Sequence, residues 1–92
     1  MTDDSFHNYY ERVVLEHLVD VARGDPTLTD DTLADVACIA LNNLPPRYVR
    51  FDVDMSFFLS AQDREEITRK TEAAVSYAID FVRRNMSRQI QL

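Results

Sequence analysis

Apolar residues return at three- and four-residue steps through Phe6, Tyr9, Tyr10, Val13, Val14, Leu18, Val21 and Ala22, a spacing that predicts an amphipathic helix. Ser5 is placed to cap its start, and Gly24 followed by Asp25-Pro26 to end it. A second stripe, Leu33, Val36, Ala37, Ala40, Leu41 and Leu44, follows Thr29-Asp30-Asp31, whose side-chain oxygens suit an N-cap. Pro45-Pro46 stops that helix, because proline has no N–H to give and disfavours helical geometry in the residue before it. Beyond the prolines the apolar period drops from about 3.6 to about 2. Val49, Phe51, Val53 and Met55 alternate with Arg50, Asp52 and Asp54, the pattern of a half-buried strand. Phe57, Phe58 and Leu59 then form a short connection expected to pack inward. Ser60, with Asp63 three residues on, opens a last helix in the manner of a capping box. Its buried face is expected to be Ile67, Thr71, Ala74, Val75, Ala78, Phe81 and Val82.

The fold class this predicts is mainly α: three helices with one short β-strand after the Pro-Pro turn. A lone strand leaves its backbone groups without partners. The simplest remedy is the same strand of a second copy, paired across the two-fold axis of a homodimer; the alternative is an extended segment lying over the helices. A helix from residue 61 to 88 runs about 42 Å, whereas a compact chain of this length has a radius of gyration of about 12 Å. One end should therefore project or lie against a neighbour, a second reason to expect a dimer. The whole of 1–92 reads as a single domain, with 1–4 and 89–92 frayed at its ends.

Composition narrows the function. A net charge of −6 argues against a nonspecific grip on DNA or on an anionic membrane, since both need a broad basic surface. No apolar run approaches the roughly 20 residues that cross a bilayer, so no membrane insertion is expected. The opening Met1-Thr2-Asp3-Asp4 is acidic where a secretion signal is basic, and the expected location is cytoplasmic. The charge is also uneven: residues 1–35 carry nine Asp/Glu against two Arg, while residues 60–92 carry six basic residues against five acidic. That asymmetry suits either solvated helix faces or self-association.

Candidate chemistry is sparse. His7 and Glu11, four apart, and Asp52-x-Asp54 fall short of the three or four ligands that a metal site needs, and His17 is isolated. Cys38, between Ala37 and Ile39, reads as a small apolar filler. With one glycine in the chain, a glycine-built phosphate loop is excluded, and no serine is glycine-flanked. No enzyme, metal or cofactor is expected. The segment Ala40-Leu41-Asn42-Asn43-Leu44-Pro45-Pro46-Arg47-Tyr48-Val49-Arg50 stands apart. Arginine presents a planar fork of donors that matches phosphate oxygens, and tyrosine offers a flat stacking face. Arg47, Tyr48 and Arg50 after two rigid prolines could thus hold a small phosphorylated, base-bearing ligand. Equally, Arg47 could cap carbonyls of its own helix while Tyr48 packs into the core.

This segment resembles the Ala-Leu-Asn-x-Leu-Pro-Pro-x-Tyr core of the late competence development protein ComFB family, here from Asp35 to Tyr48. The layout around it is similar, with Asn8-Tyr9-Tyr10-Glu11 in an aromatic first helix and a long final helix; the likeness covers most of 6–82. The resemblance implies a homodimeric, mainly helical cytoplasmic protein. It further implies a receptor for a cyclic dinucleotide, such as cyclic di-GMP or cyclic di-AMP, linked to competence, motility or surface behaviour. The matching positions are Asn42, Pro45, Pro46, Arg47 and Tyr48; Arg50 is added on physical grounds. Some relatives carry a zinc-holding cysteine cluster before the second helix, but here that stretch is Asp25-Pro26-Thr27-Leu28-Thr29-Asp30-Asp31, without cysteine. Nothing in the chain looks able to execute a response, so an unknown regulatory protein is expected as partner. The alternative function is a ligand-free helical adaptor between proteins.

Overall fold

The computed structural model describes residues 5–90, with side chains as far as Asn85. Its order is β1 (His7–Asn8), α1 (Tyr9–Gly24), α2 (Asp30–Asn42), β2 (Tyr48–Val49), α3 (Asp52–Phe58) and α4 (Ala61–Ile90). The mainly α class holds, but with four helices among the described residues rather than three.

Three of the helices build the core. Tyr10, Val14 and Leu18 of α1, Val36 and Ala40 of α2, and Ile67, Ala74, Val75, Ala78 and Val82 of α4 form one buried cluster that Leu44 joins. The expected stripes therefore face inward, with two exceptions: Phe6 and Phe81 are exposed. Thr71, buried at the centre of α4, satisfies its hydroxyl by donating to the Ile67 carbonyl at 2.7 Å.

Caps delimit the elements. Ser60 accepts from the Asp63 amide through Oγ at 3.0 Å while Asp63 Oδ2 accepts from the Ser60 amide at 3.2 Å, a complete reciprocal capping box. Thr29 caps α2, accepting from the Thr32 amide. The first helix begins later than its apolar stripe: Asn8, not Ser5, is the N-cap, accepting from the Tyr10 amide at 3.2 Å. Gly24 is the last residue of α1 and needs no left-handed backbone. The 30 residues of α4 extend to Ile90, so 89 and 90 are helical rather than frayed; 1–4 and 91–92 lie outside the described residues. This helix makes the molecule elongated, 49 × 33 × 22 Å with a radius of gyration of 14.9 Å.

The strand differs most from expectation. Only Tyr48–Val49 is extended in a ladder, and it pairs antiparallel with β1 of its own chain, His7 facing Val49 and Asn8 facing Tyr48. Residues from Asp52 onward are helical instead. The seven-residue alternation that read as a strand is overridden by a helix start: Phe51 is extended at the N-cap position, and Asp52 and Asp54 fall in the first turn, where the helix dipole favours carboxylates. The segment after the prolines thus finds its backbone partners within the same chain.

Candidate functional site

Asn8 of β1 and Tyr9, the first residue of α1, control how the Pro-Pro turn is held. Asn8 Oδ1 accepts from the Arg47 amide at 2.9 Å as well as from the Tyr10 amide. The Tyr9 amide in turn donates to the Arg47 carbonyl at 2.6 Å. Both backbone groups of Arg47 are therefore bonded, and the two residues before it are prolines with restricted φ. A side chain leaving such a backbone starts from a nearly fixed origin.

The side chains themselves are open. Arg47 and Arg50 are exposed, and Tyr48 is 65% exposed. Neither arginine forms an ion pair among the described residues, in contrast to Arg12, Arg23 and Arg83. The Arg50 guanidinium lies over the Phe51 ring, 5.3 Å from its centroid. Tyr48 meets Phe6 edge-on, with centroids 6.0 Å apart and planes at 74°. Arg47, Tyr48 and Arg50 thus stand open to solvent along one short segment, the ledge that follows the prolines. Asn42, at the end of α2, is exposed, and its neighbour Asn43 turns back to its own helix, donating to the Ile39 carbonyl at 2.8 Å. Pro45 and Pro46 are exposed and act through backbone direction.

An open groove of about 750 Å³ runs beside the ledge, with Tyr48, Phe6, Asn8, Arg12, Glu16 and Asp52 in its wall. Its polar centre joins α3 to β1 and α1, about 40 residues earlier in the chain. His7 Nε2 stands 2.5 Å from Asp52 Oδ1, and Arg12 Nη1 donates to Asp52 Oδ2 at 3.1 Å while its Nε reaches Glu16 at 3.0 Å. The His7 hydrogen bond, helped by Arg12, holds the Asp52 carboxyl below the usual carboxylate range, partly offset by desolvation. A depressed carboxyl stabilises the fold above its unfolded value of about 3.9, and that contribution is lost as pH falls through the lower folded value. Stability should therefore decline on acidification below about pH 4, and Asp52→Asn should flatten that decline; equal acid slopes in urea titrations of both proteins would contradict the assignment.

Sequence reading gave no functional role to His7, Asn8, Arg12 or Asp52. Asn8 carried a signal, since asparagine is among the best N-caps, but the apolar stripe beginning at Phe6 pointed further upstream. The union of His7 with Asp52, 45 positions away, had none. Cys38, expected inside, is exposed. Among the described residues no group of three or more His, Cys, Asp or Glu side chains is placed to hold a metal ion. Nor is any described helix long and apolar enough to cross a membrane.

A three-helix core that carries a pinned Pro-Pro-Arg-Tyr ledge defines a small, mainly helical domain with one open polar shelf. The profile of the late competence development protein ComFB family matches residues 7–86, from β1 into the last turns of α4. The chain belongs to that family, which makes it a small competence-related protein. No curated protein and no solved structure matches the chain.

Proposed function

We propose that this protein is a homodimeric receptor for a cyclic dinucleotide, passing its signal to a regulatory protein. The observation that carries the reading is the pair of exposed arginines, Arg47 and Arg50, which have no carboxylate partner among the described residues of a chain of net charge −6, with an open tyrosine between them. Unpaired guanidinium groups on a bonded backbone are preorganised for phosphate oxygens, so little ordering cost is left for binding. Tyr48 supplies a stacking surface for a purine. In this reading the protein binds and does not turn over its ligand, and cyclic di-GMP and cyclic di-AMP are the two ligands to test.

Calorimetry with each nucleotide should show binding to the wild type. Arg47→Ala should weaken it by at least about 100-fold, as expected when a charge-assisted hydrogen-bond pair is lost, and leave the circular dichroism unchanged. Absence of heat from wild-type protein with both nucleotides at high micromolar concentration would sink the receptor reading. Exposure of Phe57 and Phe58 favours a second one, a ligand-free adaptor that docks another protein. Pull-downs with and without added nucleotide separate the two, because only a receptor changes its partners with ligand.

A further inference from the structure

Helix α3 turns its apolar side outward. Met55 is its buried residue, while Val53 and Phe57, four apart on the opposite side, are open to solvent. Phe57 is 80% exposed and Phe58 79%. Arginines flank this knob: Arg64 donates to the Ser56 carbonyl at 2.7 Å, and Arg50 lies over Phe51. Of the two α3 carboxylates, Asp52 is engaged by His7 and Arg12, which leaves Asp54 exposed.

Elsewhere on the chain lies a surface of opposite form. Between α1 and α2 an apolar groove of about 590 Å³ is walled by Leu15, Val19, Leu33 and Ala37. Leu15 and Val19 are more than half exposed. Exposed carboxylates stand on the same two helices, at Glu16, Asp20, Asp30, Asp31 and Asp35, against Arg12 and Arg23. The groove's own charged walls are one of each sign, Arg23 and Asp30, while the two helices around it expose more carboxylates than arginines. A knob flanked by arginines therefore complements it in hydrophobicity and, over the wider surface, in charge.

We infer that the two surfaces meet between copies: the Phe57–Phe58 knob of one copy seats in the α1–α2 groove of a second, and the exchange is reciprocal about a two-fold axis. The inference rests on the homodimer reading and names its contact. A second copy is the occupant because it supplies both complementary surfaces and a closed symmetry makes each contact twice. The area also suits it. Two phenyl side chains, at 150–250 Å² each, with Val53 and the groove walls, bring a reciprocal contact to the scale of roughly 800 Å² per partner of a standard interface. The net charge of −6 would oppose pairing of acidic faces, whereas this contact brings the arginine-flanked knob to a surface on which exposed carboxylates outnumber arginines.

The test mixes two variants, both Cys38→Ser, one bearing Phe58→Cys and the other, affinity-tagged, Val19→Cys, under mild oxidation by oxidised glutathione. A mixed disulfide of intermediate mass should form, and replacing Val19→Cys by Glu72→Cys should prevent it. In parallel, Phe57→Ser/Phe58→Ser should raise the dimer dissociation constant at least 100-fold by light scattering with circular dichroism unchanged, since both rings are exposed. If the wild type is dimeric yet no mixed disulfide forms, or the double variant stays dimeric, the contact is wrong and the dimer stands. If the wild type is a monomer at micromolar concentration, both fail.

Discussion

Ala78→Leu should destabilise the domain by about 3 kcal/mol, a large fraction of the 5–15 kcal/mol that holds a domain of this kind together. Ala78 and Ala40 are fully buried, as is Val36, at the most extensive helix–helix contact in the fold, that of α2 with α4. Small side chains there let the two helices approach closely, and the added isobutyl volume has nowhere to go in an interior packed like an organic crystal. Either the leucine leaves its rotamer or the helices separate, and separation loosens Val75 and Thr71 as well. The urea midpoint should fall, and the melting temperature should drop on the order of 15 °C, given 4–8 °C per kcal/mol for domains of this size. Ala73→Leu, on the exposed side of the same helix, should stay within about 0.5 kcal/mol. Equal midpoints for the two leucine variants would refute close packing between α2 and α4.

Asn8→Ala is the second large effect, and it links stability to the ledge. One carboxamide oxygen accepts from two amides, that of Tyr10 at the start of α1 and that of Arg47 after the prolines. Losing the cap costs about 1 kcal/mol, while the exposed Arg47 amide can turn to water at little further cost. That loss of about 1 kcal/mol should appear in the denaturation midpoint. Beyond that, hydrogen exchange at the Arg47 amide should accelerate by more than tenfold, because that segment loses its tether. Asn8→Asp keeps an acceptor in place and should retain most of the stability. If the Arg47 amide exchanges at the same rate in Asn8→Ala as in the wild type, the tether is not what holds the turn.

Long elements were legible and short ones were not. The α2 and α4 stripes recur over enough turns that no other period fits, and Thr29, Ser60 and Asp63 announce their starts locally. By contrast, Val49 to Met55 offers seven residues, too few to separate a strand from an extended residue followed by a helical turn. What decides it is the engagement of Asp52 by His7 and Arg12, at separations of 45 and 40 residues, together with the pairing of β2 with β1. Hydrophobicity likewise could not distinguish inside from outside for Phe57, Phe58 and Phe81, because a ring that packs in a core and one left open on a surface have the same composition. The alternatives for Arg47 and Tyr48, an arginine folded back on its own helix and a tyrosine in the core, could not be separated from the sequence; both side chains are exposed. Their exposure depends on how Asn8 and the β1–β2 ladder hold that segment.

From its amino-acid order alone this chain determined three amphipathic helices, the stop at Pro45-Pro46 and the chemical character of the residues behind it. These follow from local rules: periodicity, capping and the missing amide of proline act within a few residues and need no distant partner. Only the tertiary structure decided that the segment after the prolines pairs with residues 7–8, that residues 52–58 coil into a helix, and that Phe57 and Phe58 face solvent. Each of those outcomes is set by contacts spanning tens of residues, where the energy of a side chain depends on what the rest of the fold places beside it.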